Sequence, residues 1–362
     1  MSSKIQNKKF SIIDNPIIFS LIAIALGFLV GAIALVIAGI DPIEAYSAMI
    51  EGMIGKPKYI GWVIVRATPL MLTGLSIAFA FKTGLFNIGA EGQYIIGSLV
   101  AASVGITLDL PAVILVPVTI ILAALGGAIW GGLVGYLKAK FGINEVIAAI
   151  MFNWIAFYFS NFMVKNPALF LENSETTVDI QENAMIGIDW LVDLVGPATP
   201  VNWGIVITIA VIIIITIILN KTTLGFELRA VGANKFGAEY AGINVNSSMV
   251  KSMAIAGLLA GLAGAIQVMG VTHNVTILPM TEGYGFDGIA VALIANNNPI
   301  GIIFSGLLFG GLKYGGSKMQ MVGAPSEVIS IVIGSIVYFI ALSSVLRMVF
   351  IKIRDKKQGG NV

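Results

Sequence analysis

The chain has 362 residues, of which 57% are hydrophobic and 11% charged, with a mean hydropathy of +0.94 and a net charge of +2. A soluble domain carries about 25% charged residues, so this composition excludes a soluble enzyme, a disordered chain and a coiled coil, and the small net charge argues against nucleic-acid binding. Zero cysteines exclude disulfides and thiolate metal sites, and a single histidine leaves no basis for a histidine metal site.

A membrane-spanning helix needs about 20 apolar residues, which predicts an all-α polytopic membrane protein of about ten spans. Lys4, Lys8 and Lys9 precede an apolar run from Pro16 to Ile40. The run is too long for a signal peptide and lacks a small-residue cleavage site, so it reads as an uncleaved first span entering from the cytoplasm. Further apolar segments fall near 61–81, 88–106, 111–137, 143–164, 203–219, 250–270, 285–296, 299–316 and 325–347. Ten spans place both termini in the cytoplasm and make residues 1–362 one transmembrane domain. Of 21 Lys and Arg residues, only Lys56, Lys58, Arg66, Lys165, Lys313 and Lys318 fall outside in this topology, which agrees with the positive-inside rule. Lys313 and Lys318 fit least well, because they are assigned to an outer connection between two spans.

Two polar segments interrupt the apolar pattern. Residues 165–202, assigned to the outside, carry Glu172, Glu175, Asp179, Glu182, Asp189 and Asp193 against one lysine. They read either as an outer cap or partner-docking loop, or as a plain solvated loop. Residues 220–248, assigned to the cytoplasm, carry Lys221, Glu227, Arg229, Lys235 and Glu239.

The chain also repeats itself. Gly84-Leu85-Phe86-Asn87-Ile88-Gly89-Ala90-Glu91-Gly92 parallels the stretch from Gly283 to Ala290. Gly131-Gly132-Leu133, leading to Glu145-Val146-Ile147, parallels Gly310-Gly311-Leu312, leading to Glu327-Val328-Ile329. In the ten-span topology the copies are inverted, as in many transporters. Both copies hold apolar segments broken by glycine and polar residues, near 83–93 and 283–298, and backbone breaks at membrane depth are tolerated only inside protein or along a watery cavity. Asn87, Glu91, Gln93, Asn153 and Asp287 are therefore the candidate translocation-pathway residues. Glu91, Glu145 and Glu327 also suit the first turns of helices, where the dipole favours a carboxylate. Gly127, Gly131 and Gly135 repeat every four residues, and Gly257 pairs with Gly261, a spacing that lets helices approach closely in lipid. Phe152, Trp154 and Phe157 offer aromatic faces for stacking, although at this spacing such residues more often belong to the bundle core.

No phosphate loop is present: the only Gly-Lys pair, Gly55-Lys56, is followed by Pro57. His273 stands alone beside Asn274 and reads as an outer-loop residue. No serine sits in a nucleophile elbow, so the chain does not read as an enzyme. Leu224-Gly225-Phe226-Glu227-Leu228-Arg229-Ala230-Val231-Gly232-Ala233-Asn234, continuing to Ala238-Glu239-Tyr240-Ala241-Gly242-Ile243, resembles the coupling loop of ABC importer permeases of the sugar, nucleoside and branched-chain amino acid class. Thr83–Gln93, Gly142–Asn153 and Gly285–Leu293 are similar to the nucleoside-type branch, with Phe152 and Trp154 standing where Leu and Tyr are expected.

The resemblance implies that Glu227, Leu228, Arg229, Ala230, Gly232, Asn234, Ala238 and Gly242 dock on an ATP-binding subunit. It also implies a second homologous permease, an extracellular substrate-binding lipoprotein and a place among the lipids of a bacterial plasma membrane. ATP would sit on the partner, with no cofactor on this chain. Nucleosides are the expected cargo, and simple sugars or branched-chain amino acids are the alternatives. A proton-coupled secondary transporter using Glu91 and Asp287 is the competing class.

Overall fold

In a bilayer every backbone N–H and C=O needs a partner within the protein, so apolar segments must close into helices. A computed structural model describes residues 16–172 and 174–358, and among them no strand longer than an isolated bridge forms. Lys4, Lys8 and Lys9 lie outside the described residues.

The helices are α1 (Pro16–Ile37), α2 (Pro42–Ile54), α3 (Pro57–Phe81), α4 (Ala90–Thr107), α5 (Ala112–Phe141), α6 (Glu145–Val164) and α7 (Asp189–Val195). They continue with α8 (Gly204–Lys221), α9 (Thr223–Ala233), α10 (Lys235–Tyr240), α11 (Val245–Gln267), α12 (Tyr284–Ile294), α13 (Gly301–Met319) and α14 (Ser326–Gln358). Each apolar segment of the sequence corresponds to a helix. Among the described residues, α3, α5, α6, α8 and α11 (the last extended by a π-turn to Thr272) are long and apolar enough to cross a membrane. At 11 residues α12 rises about 16 Å, short of the roughly 30 Å hydrocarbon core. Helix α2 falls in a stretch the sequence reading leaves as a connection. Lys313 and Lys318 lie inside α13 and not in a loop, because that helix continues past the last strongly apolar turn to Met319.

Residues 50–315 form one compact unit, and residues 16–49 with 316–358 belong to a second. In the second, α1 packs on α14 at glycine: a Cβ on Gly27 would sit 2.5 Å from the Ile336 Cα, and Ser335 Oγ donates to the Gly27 carbonyl at 3.0 Å. The larger unit is organised around α11. Gly127 and Gly131 of α5 face Gly257 and Gly261 of α11 so closely that a Cβ on Gly127 or Gly257 would overlap the other's carbonyl oxygen. Between α4 and α11, a Cβ on Gly97 would overlap the Gly261 carbonyl and one on Gly264 the Tyr94 carbonyl. In lipid no hydrophobic drive separates helix from solvent, so contact by small residues holds the bundle.

Residues 165–202 fold as a cap. Leu169, Ile180, Ala184, Ile186, Ile188 and Val201 are buried, and backbone bonds tie the segment to the rest of the unit, among them Thr177 N–H to Val275 O at 2.9 Å and Ile186 N–H to Met269 O at 3.1 Å. His273 belongs to this layer. Its carbonyl accepts from Ile180 N–H, and burial holds its imidazole below the ordinary pKa against the pull of Asp179. The cap adjoins the first residue of α8, Gly204, while α9 packs against the last turn of α8 at Ile218 and Leu219. Eighteen residues of α8, about 27 Å, separate them. The cap and the α9–α10 segment therefore lie at opposite ends of α8.

Candidate functional site

Two short helices make up most of the 220–248 segment. Thr222 Oγ1 caps α9 by accepting from Gly225 N–H at 3.2 Å, and Asn234 Oδ1 caps α10 by accepting from Gly237 N–H at 3.0 Å. Such caps satisfy amide groups that have no partner within the helix. Leu228 and Ala238 are buried and anchor the pair, Glu227 and Ala230 are half-buried, and Arg229, Asn234 and Gly242 are exposed. Gly242 takes φ +84°, a left-handed turn that suits glycine. The sequence reading missed the exposed aromatics Phe226, Phe236 and Tyr240, the last 98% accessible. Their signal was present as large aromatic residues in an otherwise polar segment.

Gly232 brings α9 onto the turn that follows α3, where an added Cβ would overlap the Lys82 carbonyl. Burial, and then the nearby Arg229 charge, hold the Lys82 ammonium below its ordinary pKa. Gly232→Ala should lower uptake about tenfold while ATP hydrolysis persists, because overpacking against backbone costs about 1–3 kcal/mol. Parallel uptake and ATPase assays on the reconstituted complex check this.

The same turn leads into a break in the membrane-embedded helices. Gly84 takes φ +73°, residues 85–89 are not helical, and α4 begins at Ala90. Opposite it, Gly283 takes φ +84° and α12 begins at Tyr284. The two helix starts meet. Glu91 Oε1 accepts from Gly283 N–H at 2.8 Å and Oε2 from Gly285 N–H at 2.6 Å, so one buried carboxyl group closes the N-terminus of the other helix. Gly285 fits there because a Cβ would overlap the Glu91 backbone.

Asn87, Gln93 and Asn153 are buried around this junction. Asn87 Nδ2 donates to Gln93 Oε1 at 2.8 Å and to Ser76 Oγ at 2.9 Å. Asn153 donates to Ile88 O at 3.0 Å and accepts from Gly92 N–H at 2.8 Å. Asn153 satisfies freed backbone at the break, while Asn87 and Gln93 satisfy each other, and pairing of this kind is the condition under which a broken helix survives at membrane depth. Asp287 lies apart from them and pairs with Lys313 at 2.7 Å. Glu145 and Glu327 occupy helix first turns, and Glu145 pairs with Lys138 at 2.6 Å.

One face of the unit is charged. Arg66 in α3, Glu282 before α12 and Lys313 in α13 are exposed, and Asp287 is half-buried. A charge at the bilayer centre costs about 3 kcal/mol or more, so such a face is costly to present to hydrocarbon. Arg66 lies over the Trp62 ring at 5.9 Å, and Tyr94 donates to Glu282 Oε2 at 2.8 Å. A cavity of about 270 Å³ opens between Trp62, Arg66, Gln267, Glu282 and Tyr284. The sequence reading counted Arg66 among the outside charges, and the structure places it nine residues beyond the first residue of α3. Of the aromatics singled out from the sequence, Phe152 packs edge-on against Trp130, Trp154 is half-exposed, and buried Phe157 lines a second cavity beside Tyr94 and Glu282.

Residues 59–341 match the model of the branched-chain amino acid transport system / permease component family. The chain is 40% identical to the guanosine ABC transporter permease protein NupP of Bacillus subtilis, over 96% of this chain and 99% of the relative. It is 37% identical to the nucleoside ABC transporter permease protein NupB of Lactococcus lactis, over 95% of each. It is 29% identical to the glucose ABC transporter permease protein TsgB13 of Haloferax volcanii, over 96% of this chain and 92% of the relative. No solved structure matches the chain.

Proposed function

We infer a transport function from one premise: the chain belongs to the branched-chain amino acid transport system / permease component family. It is a multi-pass protein of the plasma membrane and the permease component of an ABC transporter, a transport subunit and not an enzyme.

The cargo is a nucleoside. This reading is supported by the two relatives of guanosine and nucleoside transport, which align along nearly the whole of both chains, whereas the glucose relative is more distant. The chain crosses the membrane ten times, with α12 completing its crossing through the irregular residues on either side, and both termini face the cytoplasm. The cation distribution supports that orientation.

The observation that carries the mechanism is the α9–α10 pair, anchored by Leu228 and Ala238 while Phe226, Arg229, Phe236 and Tyr240 face outward. Aromatic and arginine side chains of this kind dominate protein interfaces. They dock the ATP-binding subunit, which holds the ATP, so this chain binds no cofactor. A second permease closes the charged face of α3, α12 and α13, and a substrate-binding lipoprotein delivers cargo to the acidic cap. The ATPase must favour one permease conformation over the other, since a partner shifts an equilibrium only by its differential affinity.

Proteoliposomes holding the complete complex should take up guanosine with ATP on the ATPase side and continue with a protonophore present. Replacing the Walker lysine of the ATP-binding subunit should abolish uptake. Uptake that follows the proton gradient would overturn ATP coupling, and uptake of glucose but no nucleoside would overturn the cargo.

A further inference from the structure

Four features of the charged face converge on one side chain. Trp62 stacks on Tyr314 of α13 with ring centroids 5.9 Å apart and planes 5° from parallel. Arg66, one turn along α3, lies over the same indole at 5.9 Å. Trp62 lines the 270 Å³ cavity that holds Arg66, Glu282 and Tyr284. It also lines a wider cavity of about 650 Å³ beneath the cap, beside Glu182, Asp189, Pro200 and His273. A solute passing from the cap into the bundle by this route meets Trp62 at the junction of the two spaces.

We propose that Trp62, with Arg66 and Glu282, is a cargo-recognition station in the membrane, where a nucleoside stacks its base on the aromatic wall and places its polar edge and ribose hydroxyls on the charged pair. The proposal rests on the nucleoside reading above and names the residues that would enforce it. The chemistry matches both halves of the cargo. Flat rings accept the π-face of any base, and such stacking is sequence-tolerant. Arg66 supplies donors only and Glu282 supplies acceptors, so neighbouring hydroxyls can be bonded in either sense. Glu282 is held in place by Tyr94 and Arg66 lies against the Trp62 ring, so neither side chain must be ordered by the cargo. The aromatic and charged groups lie on separate helices, α3, α13 and the start of α12, whose relative movement would open or dismantle the station.

The test uses the complete complex in proteoliposomes, with saturating receptor, guanosine and adenosine as probes, and three variants: Trp62→Leu, Trp62→Phe and Glu282→Gln. Wild-type protein transports both nucleosides. Trp62→Leu is expected to lower nucleoside uptake about tenfold or more, the scale of one lost base stack, with receptor-stimulated ATPase within about twofold of wild type. Trp62→Phe should restore most of the rate, and Glu282→Gln should lower uptake and change the guanosine-to-adenosine ratio. Wild-type uptake in both Trp62→Leu and Glu282→Gln would overturn the station while leaving the nucleoside reading intact. Equal losses of uptake and ATPase in Trp62→Leu without rescue by Trp62→Phe would overturn it as well, by marking Trp62 as a packing residue. Failure of the wild type to transport either nucleoside would overturn the cargo reading itself.

Discussion

Replacing Glu91 with alanine should reduce uptake by about a hundredfold and lower the thermal midpoint of the purified complex. The carboxyl group is fully buried and accepts two backbone N–H donors, from Gly283 and Gly285, at the N-terminus of α12. Removing an acceptor leaves the donors unsatisfied at about 1–3 kcal/mol each, and the freed N-terminus lies between Tyr284 and the α3–α4 break. A loss near 3 kcal/mol corresponds to roughly a hundredfold. Glu91→Gln retains one carbonyl acceptor of similar shape and should fall between the two. Uptake by vesicles and melting of the detergent-purified complex separate the possibilities. Wild-type values of both in Glu91→Ala would mean that α12 is held by other contacts.

The second large effect is expected at the centre of the bundle. Gly257→Val should leave no correctly assembled complex on size-exclusion chromatography, because the new Cβ falls on the carbonyl oxygen of Gly127. Backbone cannot turn aside as a side chain can, so α5 and α11 must separate, taking with them the close contacts of α4 on α11. Gly132→Ala is the matched control. It lies on α5, the helix of Gly127, yet its Cβ would come no nearer than 3.5 Å to Ala254, an ordinary contact. It should assemble and transport normally. Equal assembly of both variants would show that the helix spacing relaxes more readily than the geometry implies.

These two sites differ in how far the sequence announces them. The four-residue glycine spacing on α5 and the pair on α11 are written along single helices, so each is visible without the other. The partnership of Glu91 with Gly283 and Gly285 spans more than 190 residues, and no local pattern links its members. The glycine-rich breaks near 83–93 and 283–298 are legible separately, because glycine and polar residues interrupting an apolar run punctuate a helix wherever they occur. That the two breaks face each other is a property of the packed bundle. Asn87, Gln93 and Asn153 illustrate the same division. Their polarity in apolar segments marks them as exceptional, but the structure decides that they bond to one another and to freed backbone.

Membrane residence, all-helical folding, the polar α9–α10 segment and the family were determined by the sequence alone, since each depends on local hydropathy, charge placement or a contiguous motif. The tertiary structure decided which helix faces turn inward. In water, burial follows hydrophobicity; in lipid it does not, because the surroundings of the bundle are as apolar as its core. In the apolar stretch of α3, 89% of the residues are buried, against 28% in the more apolar stretches of α5 and α8. The apolar pattern therefore could not say that Arg66 turns to a cavity with Glu282 and Tyr284, or that Lys313 meets Asp287. The acidic 165–202 segment followed the same rule from the other side: its charges announced exposure to water, and its folding into a cap came from backbone pairing with residues near 268–277, about 100 positions away in the chain.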